Sequence, residues 1–273
     1  MTASVRAVRC MLRHATLVSA TVAAFAMHTA ARADELVVSA AASLTNAFND
    51  IGAAFEKQHP GTKVLLNFGA SDVLMQQIVN GAPADVFASA DETAMDKAVD
   101  AKVVAPGTRR DFTANSLVMI LPSDSPLAAA SVSLREFTAL PQVKRIALGD
   151  PASVPAGRYA QSALKAAGLW DNVSAKSVLA VNVRQSLDYV ARGEADAGFV
   201  FGTDAALMPQ RVKVVATVPT PSPIAYPIAR VASSAHAAEA QAFIDYVLSP
   251  AGQAVLARYG FRPPAGSKAP VAR

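Results

Sequence analysis

Two serines stand where chemistry on an anion could take place. Leu36-Val37-Val38-Ser39-Ala40-Ala41-Ala42-Ser43-Leu44-Thr45-Asn46-Ala47-Phe48 and Val64-Leu65-Leu66-Asn67-Phe68-Gly69-Ala70-Ser71-Asp72-Val73-Leu74 repeat one device: an apolar run, small residues with a serine, then an amphipathic helical pattern. The first N–H groups of a helix have no partner within it and lie at the positive end of its dipole, so a serine-capped start can hold an anion. Two such starts meeting in one cleft would form an uncharged oxyanion cradle. Taken singly, each serine has a plainer use as a helix cap.

Other chemistries find less support. A serine nucleophile needs a base within hydrogen-bond reach. Outside the first 33 residues the chain has only His59 and His236, and no GxSxG elbow. Neither histidine has a partner at metal-ligand spacing, and the junctions lack the paired tyrosines of a ferric site. The expectation is a binding protein without cofactor or resident metal, not an enzyme.

The chain opens with a positive leader (Arg6, Arg9, Arg13), a short apolar stretch from Ala15 to Met27, and Ala31-Arg32-Ala33, which has the form of a cleavage site. This predicts a secretory signal peptide over 1–33 and a periplasmic product. The apolar stretch falls short of the roughly 20 residues a membrane span requires. The whole chain has 25 basic and 21 acidic residues, and four of the basic ones lie in the leader, so the remainder carries 21 of each and no net charge. Such balance excludes a basic nucleic-acid footprint. The single cysteine, Cys10, also lies in the leader, so no disulfide is expected afterwards.

The elements that must position the serines alternate between strand and helix: strand 36–40, helix 44–57, strand 64–68, helix 72–80, strand 85–89 and helix 92–100. After strand 116–121 a second series follows: strand 145–148, helix 157–167 stopped at Gly168, strand 177–181, helix 183–192 and strand 197–201. A proline-rich loop, 219–223, leads into strand 228–231 and a last helix, 237–248. Such alternation implies α/β lobes with mostly parallel sheets and right-handed crossovers. The chain leaves the first lobe once and returns once, which predicts lobe I over 34–112 plus 225–273, lobe II over 113–224, and a cleft between them.

Ligands of open α/β sheets sit beyond the carboxyl ends of strands. That rule selects five junctions: Ala42-Ser43-Leu44, Gly69-Ala70-Ser71-Asp72, Pro155-Ala156-Gly157, Asn182-Val183-Arg184 and Gly202-Thr203-Asp204. Their small residues would let a ligand reach backbone N–H groups. Arg158 and Arg184 are expected to pair with carboxylates, and Asp85, Asp91 and Asp204 to serve as caps or interlobe partners.

Taken together, AAASLTNAF (40–48), NGAPADVFASAD (80–91), GDPASVPAGRYA (149–160), NVR (182–184), FGTDA (201–205) and YGF (259–261) resemble the periplasmic molybdate-binding proteins of ABC transporters, of the type II periplasmic binding class. The resemblance implies two α/β lobes joined by two crossing strands. It implies a monomer that captures molybdate and also tungstate and passes it to a membrane permease. By motif, the oxyanion falls to Ser43 and Ser71 through N–H and O–H and to Ala156 and Val183 through N–H, with molybdenum present only as the bound oxyanion. Phe201 departs from the pattern, standing where members of the family carry a tyrosine donor. One missing donor to an anion weakens binding by roughly 1.5–3 kcal/mol unless replaced. Asn46, Asn67, Asn182 and Thr203 are the nearby polar residues that could replace it. Phe201 also keeps open a receptor for another oxyanion or a small organic acid.

Overall fold

The computed structural model describes residues 34–129 and 133–264. The leader reading, 1–33, lies outside them. Strands are numbered along the chain. β1 (Asp34–Ala41), β2 (Thr62–Gly69), β3 (Val86–Ala88), β4 (Arg110–Asn115) and β10 (Ile224–Arg230) form one sheet in the order β2-β1-β3-β10-β4. β5 (Leu117–Pro122), β6 (Ile146–Gly149), β7 (Ser177–Ala180), β8 (Ala197–Phe201) and β9 (Val212–Val218) form the other, in the order β7-β6-β8-β5-β9. This is the two-lobe α/β architecture expected, with one refinement. β1 and β3 pair parallel, as do β6 with β7 and with β8. β10 runs antiparallel to β3 and β4, and β5 antiparallel to β8 and β9. The sheets are mixed because β5 and β10, the strands that follow the two crossings, enter their sheets against the direction of the local strands. The first crossing is a single residue, Ser116, between β4 and β5; the second runs through 219–223 between β9 and β10.

Helices α1 (Thr45–Gln58), α2 (Ser71–Val79) and α3 (Glu92–Asp100) follow β1, β2 and β3. In the second lobe α4 (Leu134–Ala139) precedes β6, while α5 (Pro155–Ala166), α6 (Trp170–Ser174), α7 (Val183–Ala191) and α8 (Gly202–Ala205) follow the strands. α9 (Ala237–Leu248) and α10 (Pro250–Arg258) close the chain. The apolar period of α1 drives its packing. It buries Ala47, Phe48, Ile51 and Phe55, and Phe48 and Phe55 meet Phe243 of α9 edge-on with ring centres 6.0 and 5.3 Å apart. Full burial of such side chains contributes roughly 1.5–3 kcal/mol each, enough to fix where the first turn of α1 points. α7 buries Val183, Leu187 and Val190 in the same way.

Candidate anion-binding site

Ser43, Ser71, Ala156, Val183 and Phe201 line one cavity, together with Ala41, Ala42, Gly69, Ala70, Ala90, Val154, Pro155 and Asn182. The five residues come from four strand-to-helix junctions and the end of β8, drawn from both lobes. The cavity is small, about 10 Å³, of the order of the space one water requires. A larger groove of about 660 Å³ passes Arg158, Tyr159 and Lys165, but the carboxylates Asp91, Glu92 and Asp111 line it as well. It offers no donor-only surface.

The serines do not cap their helices. Ser43 sits within a 3-10 turn, Ala42–Leu44, whose cap is Ala41, and Ser71 is the first residue of α2, whose cap is Ala70. The cap of α5 is Val154. None of these three caps makes a side-chain hydrogen bond, since alanine and valine have no acceptor to offer. A capped helix start fills its own N–H groups, whereas an apolar cap leaves the first-turn N–H groups for something else. At α7 the cap Asn182 accepts from the N–H of Gln185 at 3.0 Å, two residues beyond Val183. The side-chain oxygens of the serines are engaged elsewhere: Ser71 Oγ accepts from the N–H of Ala90 at 3.0 Å. A backbone N–H can only donate, so the Ser71 proton remains free for an acceptor. Ser43 Oγ lies 3.0 Å from the Tyr226 hydroxyl, a contact that either oxygen can donate.

Two arginines tie the lobes together beside the cavity. Arg158 of α5 reaches Asp91 with Nε at 2.8 Å and Asp72 with Nη2 at 2.5 Å, while Lys97 holds the other Asp72 oxygen at 2.5 Å. Asp91 is at once the cap of α3, accepting from the N–H of Ala94, and an interlobe partner. Its burial pushes the carboxyl up, against the pull of Arg158. Arg184 of α7 reaches Asp204 at 2.5 Å, Asn46 Oδ1 at 2.9 Å and the Ser43 carbonyl at 3.0 Å. Asp85, in contrast, accepts from the N–H of Val37 and from Ser234 and takes no part in either tie.

Asp204 is fully buried, and among the described residues no hydrogen bond within standard geometry reaches its Oδ2. Burial raises its carboxyl to about 6 despite Arg184. A carboxyl raised on folding contributes stability that is complete below its unfolded value near 3.9 and lost as pH rises through the folded one. Unfolding free energy measured against pH should therefore show wild type falling relative to Asp204→Asn by roughly 2–3 kcal/mol between about pH 4 and 7. A difference that is flat in pH contradicts the raised value.

Three of the four polar residues expected to replace a donor at Phe201 are used elsewhere. Asn46 accepts from Arg184, Asn67 donates to Ser39 and Gln77, and Thr203 Oγ1 accepts from Asn115 Nδ2 at 2.9 Å. Only Asn182 of the four lines the cavity. The residue that residue-level reading missed is Tyr226 of β10, fully buried, whose ring lies 5.7 Å from that of Phe201 and whose hydroxyl meets Ser43. Its burial lifts the phenol well above the ordinary value, so it is neutral at any working pH. A hydroxyl placed in the apolar segment Ile224-Ala225-Tyr226-Pro227-Ile228 was the available signal.

Among the described residues no helix is long and apolar enough to cross a membrane, and no group of three His, Cys, Asp or Glu could hold a metal. The family model of bacterial extracellular solute-binding proteins matches residues 36–262. The chain is 43% identical to the molybdate-binding protein ModA of Escherichia coli over 242 residues, covering 87% of this chain and 93% of that one. It is 35% identical to the protein of the same name from Haemophilus influenzae, covering 83% and 89%. The solved periplasmic molybdate-binding protein of Azotobacter vinelandii superposes with a TM-score of 0.72 at 28% identity, over 84% of this chain and 99% of that one. The sulfate-binding protein SubI of Mycobacterium tuberculosis, 19% identical with a TM-score of 0.72, shares the fold. Cavity, lobes and sequence agree: the chain belongs to the bacterial extracellular solute-binding protein family and is a binding protein, not an enzyme.

Proposed function

We propose that this protein is the periplasmic receptor of an ABC transporter for molybdate and tungstate, which it delivers to a membrane permease. The observation that carries the reading is the cavity between the two lobes, lined by two serine hydroxyls and by helix starts whose caps are apolar. Identity of 43% to a molybdate-binding protein supports the choice of ligand. A dehydrated tetrahedral oxyanion brings acceptors only, and this surface offers donors: O–H and N–H of Ser43 and Ser71, N–H of Ala156 and Val183. A charged hydrogen bond of this kind contributes roughly 1.5–3 kcal/mol. Phe201 fills its side with an apolar ring and adds no donor. No arginine or lysine lines the cavity, so discrimination rests on reach. An anion larger than sulfate bridges fixed donors on both lobes, and one bearing an O–H, such as hydrogen phosphate, buries a donor against donors.

Two interlobe arginine ties stabilise the lobes around that cavity. Calorimetric titration of the ligand-free protein with molybdate, tungstate and sulfate tests the proposal. Expected is one-to-one binding of the first two, with sulfate weaker by at least about a hundred-fold, the equivalent of two fixed donors lost. A folded sample that binds sulfate as tightly as molybdate overturns it.

A further inference from the structure

The contact between Ser43 and Tyr226 has a direction, and the neighbouring groups determine it. Ser116 N–H donates to Asn115 Oδ1 at 2.9 Å. Because a backbone N–H can only donate, the oxygen of the Asn115 amide is assigned by that bond and its NH₂ must be the opposite atom. That NH₂ reaches two hydroxyls, Thr203 Oγ1 at 2.9 Å and Tyr226 Oη at 3.1 Å. An amide NH₂ has two protons and no lone pair to give, so both hydroxyls accept. Tyr226 is completely buried, and among the described residues its only other hydrogen-bond partner is Ser43 Oγ. Were Ser43 to donate, the phenol proton would be sealed in with no acceptor, at the full desolvation penalty of a buried donor. Tyr226 therefore donates to Ser43, and the single proton of Ser43, which has no other side-chain partner among the described residues, is left for the cavity.

We propose that Asn115 and Tyr226 are positioning residues that orient a hydroxyl relay, Asn115 to Tyr226 to Ser43, and thereby commit the Ser43 proton to the ligand. The proposal rests on the oxyanion reading above. The relay starts at the last residue of β4, next to the single-residue crossing at Ser116, and its amide also holds Thr203 at the base of the second lobe. Chains of hydrogen bonds polarise one another, so Tyr226 also makes Ser43 a stronger donor than an isolated serine. The polarity that a tyrosine at 201 would supply directly is supplied here from behind the serine.

Reversing the relay is the test. In Asn115→Asp the carboxylate accepts the Tyr226 proton, Tyr226 accepts the proton of Ser43, and Ser43 turns lone pairs toward the anion. Molybdate titrated at about pH 8, well above the ordinary carboxyl range, should bind this variant about a hundred-fold or more weaker than wild type, through the lost donor and the added charge. Tyr226→Phe alone should cost about three- to ten-fold. The double variant Asn115→Asp/Tyr226→Phe should bind about ten-fold more tightly than Asn115→Asp alone, because without the phenol oxygen the serine proton is free again. The added charge is present in both and cancels. A double variant that binds no better than Asn115→Asp overturns the relay, since two merely structural losses would compound. Should Asn115→Asp not fold, the cycle of Ser43→Ala with Tyr226→Phe decides instead. Tyr226→Phe must then have no further effect in the Ser43→Ala background, and a full additional loss overturns the relay. If wild type itself does not bind molybdate, the oxyanion reading fails and the relay fails with it.

Discussion

Replacing Ser43 and Ser71 together by alanine is expected to weaken molybdate binding by about 10²- to 10⁴-fold in a protein that still folds. In the proposed site each hydroxyl would donate one hydrogen bond to a dianion, worth roughly 1.5–3 kcal/mol, or about ten- to a hundred-fold in affinity. Each alanine also costs the fold something: Ser71→Ala leaves the buried N–H of Ala90 without its acceptor, and Ser43→Ala leaves the buried Tyr226 hydroxyl without its own, roughly 1–3 kcal/mol apiece. Both side chains belong to the first lobe, so their effects should be close to additive only if the anion does not shift toward the second lobe. The two single variants check this. Titration of all three by calorimetry measures the effect, and a double variant within about three-fold of wild type would show that backbone N–H groups alone hold the ligand.

Gly157→Ala is expected to be the most damaging small substitution near the cavity. A β-carbon built on Gly157 would stand 1.8 Å from the carbonyl oxygen of Gly149 and 2.5 Å from its carbon. Both are backbone at the end of β6, which cannot turn aside as a side chain can. Helix α5 must back away, and with it the N–H of Ala156, one residue earlier. Overpacking of this severity costs roughly 3 kcal/mol or more in stability, and binding should fall by about a hundred-fold or more with the displaced donor. Gly202→Ala is the control. Its β-carbon would meet only Ser116 Oγ within 3 Å, at 2.7 Å, a side chain free to change rotamer. That variant should retain most of both stability and affinity. Denaturant unfolding and titration of the pair separate the two, and equal behaviour would mean that the approach of α5 to β6 is not what places Ala156.

The cavity was legible in the sequence because its residues are local features. Ser43, Ser71, Ala156 and Val183 each mark a place where an apolar run gives way to a helical period, and ends of strands are where α/β ligands sit. Helices 92–100 and 237–248 and strand 197–201 have the bounds read from the pattern alone. Strands β4 and β9 escaped that reading. β4 begins with charged Arg110-Asp111 and shows no long apolar run, whereas β9, Val212-Lys213-Val214-Val215-Ala216-Thr217-Val218, is valine-rich and was legible but unread. Helix α10 was legible but unread: Ser249 caps it, accepting from the N–H of Gly252, and Pro250 stands at its first position. Tyr226 and Asn115 are another matter. Their roles arise from the pairing of β10 with β4, in which Asn115 lies opposite Ile224, and no local spacing encodes a contact 183 residues apart in the chain such as that of Tyr226 with Ser43. The serine caps were misread for a physical reason as well. The pattern shows where a helix begins to within a residue or two, and one residue separates a capping hydroxyl from one that faces a ligand.

Arg158 and Arg184 show how a site without a cation in its wall can still depend on charge. Arg158 spans from α5 to Asp72 and Asp91, and Arg184 from α7 to Asn46 and the Ser43 carbonyl. Each follows closely on a donor of the second lobe, Ala156 or Val183. The cations therefore bring those N–H groups to the serines of the first lobe while their own charge is met by carboxylates. An anion held this way depends on dipoles and hydroxyls, which cannot neutralise by giving up a proton at neutral pH.

The most direct test of the central claim is a crystal structure of the protein grown with molybdate, with data collected at the molybdenum absorption edge. The account predicts one anomalous peak between Ser43, Ser71, Ala156 and Val183, with ligand oxygens about 2.7–3.1 Å from both serine hydroxyls and from the N–H groups of Ala156 and Val183. An empty cavity in a protein that has taken up the ion elsewhere, for instance in the groove beside Arg158 and Lys165, would contradict it.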